Sequence, residues 1–208
     1  MKPSQLTHKR TTKGRIFHTD TFSKDEVMAL TDHCNKGVSG LRNKVLIIVL
    51  YRCGLRIKEV LGIRSSDYNQ QEGTLRVIGK GNKMRLVGLD TQTRMNLDLW
   101  ILKRKEIGIN GVGNPPIFCG ISKQNHGQPL QTVYVRNLLK RLGKQAGIEK
   151  RINPHAFRHT FAKDLLNEGI GLRHIQISLG HSAIATTSKY LQRFNPKETI
   201  DAIKERVW

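Results

Sequence analysis

Apolar residues recur at helical spacing along most of this chain, and in two short stretches they alternate instead. Ser23-Lys24-Asp25-Glu26 sets an acid three residues after a hydroxyl, the pattern of a capping box, and predicts a helix to about Cys34. Asn35 to Gly40 reads as a turn. Leu41 to about Cys53 is strongly apolar, unbroken from Val45 to Tyr51, which predicts a buried helix ended by a left-handed Gly54. A short helix from Arg56 to about Ile63 follows. The period then falls to two: Thr74–Ile78 and Met84–Leu89 read as strands joined by Gly79-Lys80-Gly81-Asn82-Lys83, a hairpin with a glycine-bearing turn. Amphipathic helical patterning returns from Thr91 to about Ile107. Loops at Gly108–Pro116 and Gly120–Pro129 precede a basic helix at Gln131–Gln145. Asn153 caps, with Pro154 in first position, a helix to about Glu168. Leu172–Leu179, Ala183 to about Leu191, and Pro196 to the C-terminus read as further helices, with a turn at Gly180-His181-Ser182. The pattern predicts a mainly α fold with a small antiparallel β-sheet, an α+β class.

A length of 208 residues suits one core. The run Val45–Tyr51 is far short of the roughly 20 residues a membrane helix needs. Residues 1–20 hold no apolar stretch resembling a signal peptide. Cys34, Cys53 and Cys119 are scattered without a C-x-x-C pair, so a disulfide scaffold is not expected and a reducing, cytoplasmic setting is. Charge changes the picture most. The formal net charge is +20. Residues 1–19 carry five basic residues and no acid, and residues 131–160 carry seven basic residues against Glu149 alone. An excess gathered in an N-terminal arm and one helical stretch points to nucleic acid as partner, with binding that weakens steeply in salt.

Several short segments carry side chains suited to phosphate chemistry. Asn153-Pro154-His155-Ala156-Phe157-Arg158 puts His155 and Arg158 three apart, on one face near the positive end of a helix dipole. Leu179-Gly180-His181-Ser182 sets an imidazole in a tight turn. Tyr190 follows in Thr186-Thr187-Ser188-Lys189-Tyr190. Cys53-Gly54-Leu55-Arg56 places a guanidinium just past a helix break, and Lys80 lies on the hairpin turn with Lys83 as its rival. Each piece alone has an ordinary reading. Arg56 and Glu59 form an exposed i,i+3 pair, and Tyr190 is a core aromatic like Tyr51, Tyr68 or Tyr134. His155 and His159 would be a metal pair, yet they lack the intervening glutamate of H-E-x-x-H and an evident third ligand. His159 reads as a packing histidine and His174 as structural.

Taken in order, Arg, Lys, His-x-x-Arg, His and Tyr resemble the tyrosine recombinase (phage integrase) family, from about Phe22 to Leu191. The resemblance implies an integrase-like catalytic domain over 21–195, a basic arm or linker over 1–20, and a C-terminal helix over 196–208. It implies a site-specific DNA recombinase with Arg56, Lys80, His155, Arg158, His181 and Tyr190 as its catalytic residues. Tyr190 would attack phosphorus, forming a 3′-phosphotyrosine and releasing a 5′-hydroxyl. His155 would act as base and Lys80 would protonate the leaving oxygen. Arg56 and Arg158 would clamp the non-bridging oxygens, with His181 donating a further hydrogen bond. Glu59 would orient one of these side chains. Neither metal, ATP nor another cofactor is expected, since the arginines supply the charge and the covalent bond conserves the phosphodiester energy. The expected partners are double-stranded DNA and other copies of the chain in a tetrameric synapse. The amphipathic C-terminal helix would dock either on a neighbour or on its own domain. A type IB topoisomerase and a catalytically inactive DNA-binding module remain the alternatives. Two departures stand out: only about 20 residues precede the catalytic fold where most members carry a further helical domain, and Val87-Gly88-Leu89 replaces the usual V-P-L.

Overall fold

Helix α2 (Val38–Cys53) organises the molecule because it offers apolar side chains on nearly every side. Val45, Leu46, Ile47, Val49, Leu50 and Cys53 are essentially inaccessible, as befits a helix without a polar face. The computed structural model describes residues 21–110 and 113–180, with only the backbone at Lys80. In it α1 (Lys24–Asp32), α4 (Thr91–Glu106) and α6 (Pro154–Asn167) pack against α2. The Ser23 capping box forms, but α1 stops at Asp32, short of Cys34. Helix α2 starts at Val38, ahead of the expected Leu41. That early start needs Gly40: a Cβ there would fall 1.4 Å from the Asn35 carbonyl oxygen, so the preceding turn closes directly onto the helix.

The short helix α3 (Ile57–Gly62) leads through a 3-10 turn, Ser65–Asp67, into the sheet. Here the structure adds a strand to the expected hairpin. β1 (Tyr68–Asn69) pairs antiparallel with β2 (Thr74–Ile78), which pairs antiparallel with β3 (Met84–Gly88). Two residues are too few to show a period, which hid β1 from the pattern. Leu75, Val77 and Val87 face the core, whereas Ile78, Met84 and Leu86 face solvent. Register places Arg85 opposite Val77, hence on the inward face.

Helix α4 buries Thr93, Leu97, Trp100 and Arg104. Trp100 Nε1 donates to the Ile117 carbonyl at 2.8 Å and Arg104 Nη1 to the Pro116 carbonyl at 2.6 Å, tying down the chain after the Gly108 loop. Helix α5 (Thr132–Gln145) buries Val135, Leu138, Leu139 and Leu142 on one stripe and turns its basic side chains outward. On α6 the Asn153 side chain accepts from the amides of His155 and Ala156, and Pro154 opens the helix as expected. Phe22 stacks on Phe157 at 4.6 Å and donates its amide to Thr160 Oγ1 at 2.8 Å, closing the start of the fold onto α6. Helix α7 (Leu172–Leu179) packs Ile175 and Leu179 against Ala162 and Phe161. The result is mainly helical with one small antiparallel sheet. The arm over 1–20, the turn from His181, the helix Ala183–Leu191 and the C-terminal helix 196–208 lie outside the described residues. No helix among the described residues is long and apolar enough to cross a membrane.

Candidate active site

The break between α2 and α3 builds the first half of the site. Gly54 takes the left-handed conformation, φ 59°, and a Cβ there would fall 2.2 Å from the Phe161 ring on α6. Glycine is therefore required both by the backbone and by the approach of α6. Arg56 then occupies the N-cap of α3. Glu59 turns back on it, accepting from the Arg56 amide at 2.9 Å and from Arg56 Nη1 at 2.8 Å. The Arg56 side chain keeps about a third of its surface open to solvent, 34%. So the i,i+3 pair forms, but as a corner and not as a surface bridge, because Glu59 is buried.

Helix α6 supplies the second half. Arg158 is only 4% exposed. Its Nη1 donates to the Gly54 carbonyl at 2.8 Å, 104 residues away in the chain, and its Nη2 donates to the Leu179 carbonyl. Nη1 also stands 4.0 Å from Glu59 Oε2. His155, three residues earlier, stays exposed at the mouth of this corner. Partial burial, then the charges of Arg158, Arg56 and Arg136, hold its pKa below the ordinary histidine value. The shift favours the neutral form, which can accept a proton. The structure thus brings together Arg56, Glu59, His155 and Arg158. Lys80 falls on the turn Lys80–Asn82, where Gly81 and Asn82 both take positive φ. His181 and Tyr190 lie outside the described residues.

One residue of this corner escaped the sequence reading. Arg85 reaches in from β3 and forks onto Glu59, Nη2 to Oε2 at 2.9 Å and Nη1 to Oε1 at 3.2 Å. Its Nε donates to the Ser178 carbonyl at 2.8 Å, in the last turn of α7. A signal was available: alternation with Val87 puts Arg85 on the core face of its strand, an abnormal place for a lone charge. Burial alone would raise the Glu59 pKa. The hydrogen bonds from Arg85 and from Arg56 outweigh it and hold the carboxyl below its usual range. Three guanidiniums thus converge on one carboxylate, leaving the corner with a surplus of positive charge.

Two cysteines and three tyrosines among the described residues are poorly suited to act as nucleophiles. Burial pushes the Cys34 thiol up to about 11 and that of Cys53 up to about 12. Burial, then the hydrogen bond to Asp98, pushes Tyr68 up to about 12, and burial also raises Tyr51. The Tyr134 hydroxyl is engaged by Arg42 and Asn43. Beside His155 a groove of about 950 Å³ runs between α5 and the start of α6, lined by Arg136, Lys140, Lys144, Arg151 and His155 with Glu149 as its lone acid. Among the described residues no group of three or more His, Cys, Asp or Glu could hold a metal ion.

Arginines from distant parts of the chain share one buried carboxylate, with a histidine at their mouth and a basic groove alongside, an arrangement with the charge to attract a phosphate. The description of the phage integrase family fits residues 20–196. The chain belongs to that family. It is 35% identical over 171 residues to the tyrosine recombinase XerD of Pseudomonas putida, covering 82% of this chain and 56% of that protein. It is 38% identical over 151 residues to XerD of Proteus mirabilis, covering 72% and 47%. The chain therefore spans about half the length of the curated relatives it matches. The solved structure of XerA recombinase superposes with a TM-score of 0.75 at 28% identity, covering 91% of this chain and 66% of that one. The XerH site-specific recombinase, solved in a post-cleavage complex with its palindromic difH substrate, superposes at 0.71 with 25% identity, covering 89% and 52%. The fold is that of a tyrosine recombinase catalytic domain.

Proposed function

We propose that this chain is the catalytic domain of a site-specific DNA recombinase that cuts and rejoins strands through a 3′-phosphotyrosine on Tyr190. The convergence of Arg56 and Arg158 on Glu59, from distant parts of the chain, carries the reading. In the proposed reaction the phosphate lies over this corner. The Tyr190 oxygen attacks phosphorus as neutral His155 takes the phenolic proton. The P–O5′ bond breaks, and Lys80 gives its proton to the departing oxygen. Arg56, Arg158 and His181 stabilise the charge that builds on the non-bridging oxygens. Rejoining reverses these steps with a second 5′-hydroxyl, so the proposed chemistry consumes no ATP and calls for no metal. The family resemblance assigns the nucleophile to Tyr190, and the raised pKa values of Tyr51 and Tyr68 and the engagement of Tyr134 accord with that assignment.

The basic groove beside His155 suits the duplex backbone. The assignment of 1–20 as a basic arm, 21–195 as the catalytic unit and 196–208 as a docking helix belongs to the same proposal. So do a tetrameric synapse built through that helix and a cytoplasmic setting. Covalent trapping tests it. Mixing the protein with supercoiled plasmid and quenching in denaturant leaves an adduct with the wild type and none with Tyr190→Phe, whose DNA affinity stays within a few-fold. Sequencing the trapped ends reports the cleaved site. Plasmids bearing two such sites then yield joined products, whereas a change in linking number alone would reassign the enzyme to strand relaxation. Tight DNA binding with no adduct would identify an inactive binding module.

A further inference from the structure

Arg85 occupies a position that the proposed chemistry does not use directly. Its guanidinium lies between two glycines, each immediately preceding a residue of the proposed catalytic set. A Cβ on Gly79 would lie 3.3 Å from Arg85 Nη1 and 3.5 Å from Glu59 Oε1. A Cβ on Gly180 would lie 2.9 Å from the same Nη1. Lys80 follows the first glycine and His181 the second. The group is held on three sides. It forks onto Glu59, bonds the Ser178 carbonyl, and lies on the inward face of β3, its side chain only 10% exposed. The Gly79 amide closes the hairpin on the Lys83 carbonyl at 2.8 Å, and the Gly180 amide bonds the Ile177 carbonyl at 2.9 Å. Gly180 is left-handed, φ 64°, and ends α7 close to the guanidinium.

We infer that Arg85 is a positioning residue that locks the Lys80 turn and the end of α7 onto the Arg56–Glu59 corner, setting the general acid against the leaving oxygen. The inference rests on the recombinase reading above. A planar fork is what the position demands. Lysine would keep the charge but could not bond both Glu59 oxygens and the Ser178 carbonyl together. Methionine would fill the space with no bond at all.

The test uses the full chain and its Arg85→Lys and Arg85→Met variants. The substrate is a duplex carrying the cleavage site sequenced from wild-type adducts, made in two forms. One has the natural 5′-oxygen at the scissile bond; the other has a bridging 5′-sulfur. A thiolate leaves without a proton, since its parent acid has a pKa near 8.5, so sulfur relieves the need for the general acid. Single-turnover cleavage of the oxygen substrate falls about 100-fold in Arg85→Met and less in Arg85→Lys. On the sulfur substrate the deficit of both variants shrinks to about tenfold or less. Equal deficits on the two substrates, or none, would overturn the inference, because a general loss of folded protein slows both alike. Hydrogen exchange supplies a second readout without DNA. The Gly79 and Gly180 amides exchange faster in Arg85→Met while those in the middle of α5 do not. Unchanged exchange at Gly79 would also overturn it. A wild type that forms no adduct on any DNA would sink the recombinase reading itself, which none of the variant comparisons can do.

Discussion

Glu59 is the residue on which the site turns. It is buried, it neutralises part of a three-arginine cluster, and it fixes the geometry of both Arg56 and Arg85. Removing its charge leaves buried cations without their counter-charge, a loss on the order of 3–5 kcal/mol. Glu59→Gln is therefore expected to lower stability sharply in urea unfolding at pH 7 and to lose less relative to wild type as pH falls. The sign follows from the depressed Glu59 pKa: its contribution is complete above the unfolded-state value and fades as the pH drops through the folded one. Arg158 tests the clamp. Arg158→Lys retains charge but not the fork, and cleavage should drop by orders of magnitude while DNA affinity changes little. As the proposed base, His155 should set the acid limb of the rate. With its pKa held below the ordinary histidine value by partial burial and by the nearby arginines, the cleavage rate at subsaturating DNA should rise with pH along a limb whose midpoint lies below that of a free histidine. His155→Gln should remove that limb. At this scale the sequence was informative for residue types and order, since Arg56, His155 and Arg158, distant in the chain, stand near one another in the fold. It passed over Arg85, whose core-facing place shows only in the alternation with Val87 and was masked by the many other basic residues of the chain.

Elements position these residues through their ends more than through their faces. The C-terminal stop of α2, the N-cap of α3, the second residue of α6 and the last turn of α7 all meet within one corner. Gly54 is the hinge of that arrangement, being left-handed and pressed by Phe161. Gly54→Ala should cost about 1–3 kcal/mol from backbone strain alone, with more from the clash, and it should slow cleavage beyond what the stability loss explains. Calorimetry beside single-turnover rates separates the two effects. The helices were legible because their caps and apolar periods are strong, down to the Ser23 box and the Asn153–Pro154 start. Their boundaries were less so. Helix α2 begins early because Gly40 admits the Asn35 carbonyl, a close approach between residues that no periodicity encodes. Strand β1 was invisible because it exists only through pairing with β2.

At the scale of the molecule, charge and core divide the labour. The core runs through α2 and the inner sheet face, while basic side chains gather on the outer face of α5 beside His155. Replacing Arg136, Lys140 and Lys144 together with alanine should reduce the slope of log K against log salt by about 3, one for each phosphate no longer neutralised. The cleavage rate of saturated complexes should stay nearly constant. The chain covers about half the length of its curated relatives. Everything proposed for this protein stands on the chemistry of one oxygen. The direct measurement is to trap the adduct, digest the DNA with nuclease, and locate the remaining nucleotide by mass spectrometry of the peptides. The expected result is a 3′-phosphonucleotide on Tyr190 and on no other residue. A nucleotide on Tyr51, Tyr68, Tyr134 or a serine, or cleavage that leaves no bound nucleotide, would contradict it.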